Sequence, residues 1–268
     1  MRSERLSRVE GVRWIPEQLS GTAVLVLAGS SGRIDSPRAE LLARHGAVAE
    51  SVRWFGGPGQ NEGPWDIPLE LFLERVADLN RVADRVVVLG TSFGSEAALL
   101  VGAHSPQVSA VAAFAPSDVV WAGFRSDSSV TSHWTLGGSA LPYVDFVEDW
   151  EPDTDPPAFV GLYEESRRRS PEAVSAAAIP VERIAQLLLV AGGDDQVWPS
   201  LAMAEAMRRR RDAQGLATTV VSDPEAGHRT VLPGESPVSG GVRMRRGGTD
   251  EADRRLGSAA WAGLEALL

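Results

Sequence analysis

Short apolar runs recur along the chain, and each gives way to a turn signal and then to a helical pattern. The runs lie at 22–28, 48–54, 85–89, 108–114, 186–191 and 218–221. The first ends at Gly29, and the second ends in Gly56-Gly57-Pro58-Gly59. The third, Arg85-Val-Val-Val-Leu89, is continuous and β-branched. Runs without polar alternation are buried on both faces, which is how parallel strands read. Between and after them, apolar residues recur at helical spacing over 36–45, 69–83, 93–104, 200–213 and 250–268. Strands alternating with helices predict an α/β chain built on a doubly wound, mostly parallel sheet.

One stretch breaks the alternation. Residues 117–184 carry no clear strand pattern and are rich in Pro, Asp and aromatic side chains. Trp150-Glu-Pro-Asp-Thr-Asp-Pro-Pro157 reads as loop, and 172–178 as a helix. A long irregular insertion between sheet strands usually serves function. It is expected to form a lid over an active site; the alternative is a surface excursion that touches nothing. No internal repeat or composition shift marks a boundary, so one domain is expected over 1–268, with the lid at about 117–184.

Composition narrows the classes of function. At 268 residues and 43% hydrophobic, the chain can bury a sizeable core. With 26 basic residues, all Arg, against 36 acidic ones, its net charge is −10. A nucleic-acid binder draws its affinity largely from neutralising phosphates, so no nucleic-acid partner is expected. Cysteine is absent, which excludes disulfides, thiolate metal sites and a cysteine nucleophile. Residues 1–18 have no apolar core of a signal peptide, and no apolar run reaches the ~18–20 residues of a membrane helix. A cytoplasmic location is expected. No metal-ligand spacing and no phosphate-cradling loop stands out, so neither a metal nor another cofactor is expected.

The chemistry is carried by Gly90-Thr91-Ser92-Phe93-Gly94. The pattern G-x-S-x-G is weak alone, but here it follows an apolar strand and opens a helical run. That strand–turn–helix setting is the nucleophile elbow of the α/β-hydrolase fold. A side chain at position 90 or 94 would collide with the neighbouring strand or helix, and glycine removes the collision. The start of a helix beneath Ser92 favours developing negative charge. A serine hydroxyl needs a base. Of four histidines, His45 and His104 end helices, and His104 lies some three turns from Ser92. His133 falls in the insertion, where a surface position is expected. His228, in Glu225-Ala-Gly-His-Arg229 after the last strand, stands where this fold places its base. The acid should follow the strand at 186–191, in Gly192-Gly-Asp-Asp-Gln-Val-Trp-Pro-Ser200. Asp194 and Asp195 are both available; the spacing G-x-x-D favours Asp195. For an oxyanion hole, one backbone N–H should come from Phe93. The second should come from Gly29-Ser30-Ser31-Gly32, with Ser30 preferred and Ser31 next.

With these motifs in place, the chain resembles the C-terminal catalytic domain shared by acyl-CoA thioesterases and bile acid-CoA:amino acid N-acyltransferases, in its bacterial form and next to the dienelactone hydrolases. The matching segments are Ala28-Gly-Ser-Ser-Gly-Arg-Ile-Asp35 with Arg38-Ala39, Ile67-Pro-Leu-Glu70, Gly90 to Gly94, Ile179-Pro-Val-Glu-Arg-Ile184, Gly192 to Ser200 and Ala226-Gly-His228. The resemblance implies an α/β-hydrolase with a lid, and Ser92, Asp195 and His228 as nucleophile, acid and base. Amidating members carry a cysteine nucleophile, whereas serine stands here. The expected reaction is therefore hydrolysis of an acyl ester or thioester through an acyl-enzyme. A lactone or dienelactone esterase, an acyltransferase or cyclase, and a binding protein that kept the pocket are the rivals. Only about twenty residues precede the run at 22–28, so the N-terminal β-sandwich of the animal enzymes is expected to be missing.

The arginine runs at 167–169, 208–211 and 243–246 read as solvated faces rather than phosphate sites. Trp121, Trp134, Trp150 and Trp198 are candidates for an apolar acyl pocket or for ordinary packing.

Overall fold

A computed structural model describes residues 1–237 and 241–268. Among the described residues, thirteen strands, seven α-helices and one short 3-10 helix (Val181–Arg183) follow in chain order. They begin with β1 (Arg2–Arg5), β2 (Gly11–Ile15), β3 (Thr22–Leu27), α1 (Ser36–Arg44), β4 (Val48–Val52), β5 (Ile67–Pro68) and α2 (Glu70–Leu79). Next come β6 (Arg85–Thr91), α3 (Phe93–His104), β7 (Ala110–Phe114), β8 (Ala122–Phe124), β9 (Val130–Ser132), β10 (Trp134–Leu136) and β11 (Ser139–Ala140). The chain closes with α4 (Val160–Arg169), α5 (Pro171–Ala176), β12 (Gln186–Gly192), α6 (Ser200–Asp212), β13 (Thr219–Asp223) and α7 (Asp250–Glu265).

Eight strands form the main sheet, in the order β1-β2-β4-β3-β6-β7-β12-β13. From β4 to β13 every pairing is parallel, as the six apolar runs predict. Its inner strands β4, β3, β6, β7 and β12 are buried on both faces. In β3, Ala23, Leu25 and Leu27 point into one core, while Val24 and Val26 point into the other. The first core is covered by α2, α3 and α6, and the second by α1 and α7. Helix α7 shows why such segments fold locally. Thr249 caps it by accepting from the Ala252 N–H at 3.2 Å, and Asp250, Glu251 and Asp253 favour its N-terminal dipole. Ala252, Leu256, Ala260 and Leu264 recur every fourth residue and form its buried stripe.

Two expectations need correction. The sheet begins at Arg2, well before residue 22: β1 and β2 form an antiparallel hairpin added to the edge of β4. Their charged residues hid them, because edge strands carry charge instead of an apolar run. The insertion is also not strand-free. β8 pairs antiparallel with β9, and β10 pairs with β11 and with β5. These strands are two or three residues long, too short for any periodicity to register. Its expected helix at 172–178 is α5. Among the described residues, no helix is long and apolar enough to cross a membrane.

The run at 208–211 is not a uniformly solvated face. Arg208 and Arg210 pair with Glu205 and Glu182, but Arg211 is fully buried. Its guanidinium donates to the carbonyls of Val181, Ile184 and Ala217 at 2.5, 2.6 and 2.9 Å and to the Thr218 hydroxyl at 2.9 Å. It thereby ties the end of the insertion to α6 and to the approach to β13. Burial pulls its pKa below the ordinary arginine value, against the opposing effect of Glu182. Arg211→Met keeps the buried stem but strips three carbonyls of their donor, so unfolding in urea should show a loss on the order of 3 kcal/mol. A loss under about 0.5 kcal/mol, the range of an ordinary surface change, would mean that other donors take over those carbonyls.

Candidate active site

The site is built on the turn from β6 into α3. Ser92 occupies that turn with φ 57° and ψ −126°, a sparsely populated region for a residue with a side chain. Hydrogen bonds hold it there: its N–H donates to Phe114 O on β7 at 2.9 Å, and its carbonyl accepts from Ser95 N at 2.7 Å. The flanking glycines are required by space. A Cβ on Gly90 would lie 2.0 Å from Gly94 O, and one on Gly94 would lie 2.2 Å from Ala28 O. Strand, turn and helix are thus pressed together at the point where the Ser92 hydroxyl leaves the sheet.

His228 and Asp195 complete a chain of hydrogen bonds with Ser92. His228 Nε2 is 2.9 Å from Ser92 Oγ, and His228 Nδ1 is 2.8 and 3.0 Å from the two Asp195 oxygens. All three side chains are buried. Asp195 follows β12. Its Oδ1 accepts from the N–H groups of Val197 and Trp198 at 2.9 and 3.3 Å, and its Oδ2 from the Ser200 hydroxyl at 2.6 Å. A carboxylate so supplied with donors is fixed in orientation. Asp194 faces elsewhere. It accepts from Gln196 Nε2 at 2.6 Å and from Gly248 N at 2.8 Å, which ties the β12 loop to the segment before α7.

The histidine loop is held from the same side. His228 N donates to Arg246 O at 2.9 Å, and Gly227 N donates to Asp253 Oδ1 at 2.8 Å. A Cβ on Gly227 would lie 2.3 Å from Gly247 O. Phe93 opens α3, so its N–H has no carbonyl of the preceding turn to bond. The Gly29-Ser30-Ser31 loop runs beside the serine: a Cβ on Gly29 would sit 3.2 Å from Ser92 Cβ. Ser30 and Ser31 both line the cavity in front of Ser92.

That cavity measures about 680 Å³ and joins Ser92 and His228 to the insertion. The insertion supplies an apolar wall that includes Phe146, Trp150, Phe159, Leu162 and Tyr163. Burial, reinforced by Glu96 and Asp195, pushes the Tyr163 phenol well above its ordinary pKa, so it stays neutral. Of the four tryptophans, Trp150 and Trp198 line the cavity, while Trp121 and Trp134 pack in the core. His133 is a correction: it is buried, not at the surface, with its ring 4.3 Å from that of Phe93. Beside it lies Glu96, fully buried, whose Oε2 accepts from Trp134 Nε1 at 2.9 Å. His45 and His104 end α1 and α3, as expected. Among the described residues, no group of three His, Asp or Glu side chains could hold a metal ion.

Sequence reasoning missed three supporting groups: Ser200, Asp253 and the Arg38–Glu235 pair. Arg38 is buried, forms two hydrogen bonds to Glu235 at 2.6 and 2.7 Å, and donates to Thr91 Oγ1 at 2.9 Å. Burial opposes its charge, but Glu235 and then Asp35 more than offset this and its pKa lies above the ordinary value. Only the distance in sequence hid the pair, since 197 residues separate its members. Ser200 and Asp253 carry no signal, because both sit in the first turn of a helix where such residues are common.

Asp253 gives a pH-dependent test. Burial first, then Asp250 and Asp195, raise its pKa, while the Gly227 N–H and His228 oppose the shift. A carboxyl raised in the fold favours the native state below its unfolded pKa, and that contribution is lost as pH rises through the folded value. Asp253→Asn keeps an acceptor for Gly227 and stays neutral at every pH. The melting temperature of the variant relative to wild type should therefore rise as pH climbs from about 3 to 7. A difference that is flat or falls over that range would show that Asp253 acts through its charge on the loop instead.

A family model described as BAAT / acyl-CoA thioester hydrolase C terminal matches residues 69–245. No curated protein matches the chain in sequence. Among solved structures, one named "Putative Dienelactone Hydrolase" from Klebsiella pneumoniae subsp. pneumoniae MGH 78578 aligns with TM-score 0.53 at 15% identity, over 97% of this chain and 92% of that one. A hydrolytic enzyme, so described as probable, from Pseudomonas aeruginosa PAO1 aligns with TM-score 0.51 at 16% identity, over 85% of this chain and 88% of that one. At such identities the likeness speaks for the fold, which is that of the α/β-hydrolases.

Proposed function

The chain belongs to the BAAT / acyl-CoA thioester hydrolase C-terminal family, and from that premise we propose that it is a serine hydrolase of acyl esters and thioesters, built as one domain under a lid at about 117–184. The family and fold make it an ester or thioester hydrolase in class. The reading of Ser92, His228 and Asp195 as its triad rests on the geometry at 2.9 and 2.8 Å, in the order nucleophile, base, acid.

In this reading His228 Nε2 takes the proton of the Ser92 hydroxyl as Oγ attacks the acyl carbonyl carbon. The carbonyl oxygen becomes an oxyanion, bound by the N–H groups of Phe93 and Ser30. His228 then passes the proton to the departing alcohol or thiol, and an ester to Ser92 remains. Water enters, loses a proton to His228 and attacks the same carbon. Collapse returns the proton to Ser92 and releases the acid. Asp195 holds the imidazole in the tautomer that accepts at Nε2 and stabilises its charged form, without taking the proton. The aromatic wall of the insertion accommodates the hydrocarbon part of the substrate.

Serine in place of cysteine favours water as the acceptor. The reading of the lid as a cover over the substrate is supported by its share of the cavity wall. A fluorophosphonate probe should label Ser92, and Ser92→Ala should remove both labelling and turnover while the melting temperature holds. Near wild-type hydrolysis by Ser92→Ala would sink the proposal. Asp195→Asn should lower kcat by a factor on the order of 10⁴, and Asp194→Asn by far less. The reverse ranking would make Asp194 the acid.

A further inference from the structure

One polar side chain in the apolar wall of the insertion is set apart from its neighbours. Tyr163, on α4, is 7% exposed and lines the cavity. Three aromatic rings hold its ring edge to face: Trp121 at 4.6 Å, Phe146 at 5.2 Å and Trp198 at 5.5 Å between centroids. The polar tips around it are engaged. Trp121 Nε1 donates to Ser117 Oγ at 2.9 Å, Trp198 Nε1 to Ala115 O at 3.2 Å and Ser166 Oγ to Leu162 O at 2.8 Å. The Tyr163 hydroxyl makes no hydrogen bond to any described residue. Nor is it sealed in the interior: the enclosed side-chain atoms without a partner among the described residues are Trp54 Nε1, Glu70 Oε2, Ser95 Oγ, Glu96 Oε1 and His133 Nδ1. The hydroxyl therefore opens into the cavity that Tyr163 lines. A phenol this buried ordinarily has a hydrogen-bond partner, and one without a partner costs free energy.

The surroundings bear on what that partner is. Burial first, then Glu96 and Asp195, raise the pKa of the phenol, and no arginine of the cavity acts on it. Both carboxylates are held by other donors, Glu96 by Trp134 Nε1 at 2.9 Å and Asp195 by the His228 ring at 2.8 Å and the Ser200 hydroxyl at 2.6 Å. The phenol thus stays protonated and has a proton to donate. An anionic acceptor would meet the repulsion of two carboxylates and would lose its hydration against an apolar wall. A neutral oxygen escapes the first penalty and most of the second. One indole bridges the phenol and the catalytic base: Trp198 lies 5.5 Å from the Tyr163 ring and 5.7 Å from the His228 ring. An acceptor at the phenol is therefore several bonds from the carbonyl that Ser92 attacks. In a thioester the acyl group is the part that suits an aromatic wall, since the departing thiol is the more polar part. We propose that Tyr163 is a specificity-determining residue, whose O–H donates to a neutral oxygen, a ketone or a hydroxyl, carried by the acyl chain several bonds from the scissile carbonyl. This rests on the hydrolase reading of the same site and narrows its substrate class.

The test compares N-acetylcysteamine thioesters of octanoic acid and of oxo-octanoic acids in which the ketone is moved stepwise toward the chain end. At least one oxo member should exceed octanoyl in kcat/KM by roughly 10-fold, the effect of pairing a buried polar group that octanoyl leaves unpaired. In Tyr163→Phe that ratio should fall toward one, whereas Tyr143→Phe, the same change outside the cavity wall, should keep it. A ratio taken within each variant cancels any general effect on folding or on the chemical step. A second readout needs no turnover. Each ketone is labelled with carbon-13 and its infrared band recorded when the thioester is bound to Ser92→Ala. For the best-placed ketone the band should lie at lower frequency there than in Ser92→Ala combined with Tyr163→Phe. Oxo members turned over no better than octanoyl overturn the inference and spare the hydrolase reading. A preference that survives Tyr163→Phe does the same, because another group then holds the oxygen. A preference lost in Tyr163→Phe without any band shift also overturns it, because the phenol then acts through packing. No turnover of any thioester, with a band shift that depends on Tyr163, supports the subsite and sinks the hydrolase reading. No turnover and no band shift overturns both.

Discussion

The site depends on one constraint: the backbone of Ser92 is held at φ 57° and ψ −126°. Such a conformation costs on the order of 1–3 kcal/mol and persists only where its surroundings over-determine it. Here they do. β6 ends against β3 and β7 on either side, α3 begins at once, and the Gly94 Cα faces the carbonyl of Ala28 with no room for a methyl group. Six parallel strands with apolar residues on both faces offset that cost many times over. The strain is useful because it lifts the serine hydroxyl off the sheet and onto the axis of the His228 imidazole.

Much of this was legible in the sequence, for a physical reason. A parallel strand buried on both faces must be apolar throughout, so β3, β6, β7 and β12 announced themselves. The elbow was legible because close packing admits only glycine at 90 and 94. His228 could be reached by elimination among four histidines. The choice between Asp194 and Asp195 could not be made on chemistry alone, since adjacent identical residues carry the same donors and acceptors. The fold separates them by turning one toward the imidazole and the other toward Gly248.

What stayed hidden shares a different property. β1, β2 and the short strands of the insertion bury little, and so leave no apolar period. His133 was misplaced because a lone histidine in a polar stretch carries no sign of the Phe93, Trp134 and Glu96 side chains that enclose it. The place of Arg246 in the cavity wall was hidden for the same reason. In sequence it belongs to a basic run whose first member, Arg243, pairs with Asp155 at the surface. Only the return of the chain past His228 turns the last member of the run inward. Burial of an apolar face is written locally, but convergence of polar groups from distant segments is not.

The paired aspartates show how the two kinds of information meet. Asp195 orients the imidazole, and Asp194 anchors Gly248. Gly248 follows Arg246 and Gly247, whose carbonyls line the backbone of residues 227 and 228. Both carboxylates therefore act on His228, one through its ring and the other through the segment on which its backbone rests. Asp253 adds a third hold on that loop through Gly227 N, from the first turn of α7. In the proposed reaction His228 accepts a proton and gives it back within one turnover, and so has to keep its distance to two oxygens while its charge changes. Three carboxylates on three segments oppose the displacement that each change in charge would otherwise drive, and they explain why the loop lies under the sheet-covering helix α7 instead of standing free in solvent.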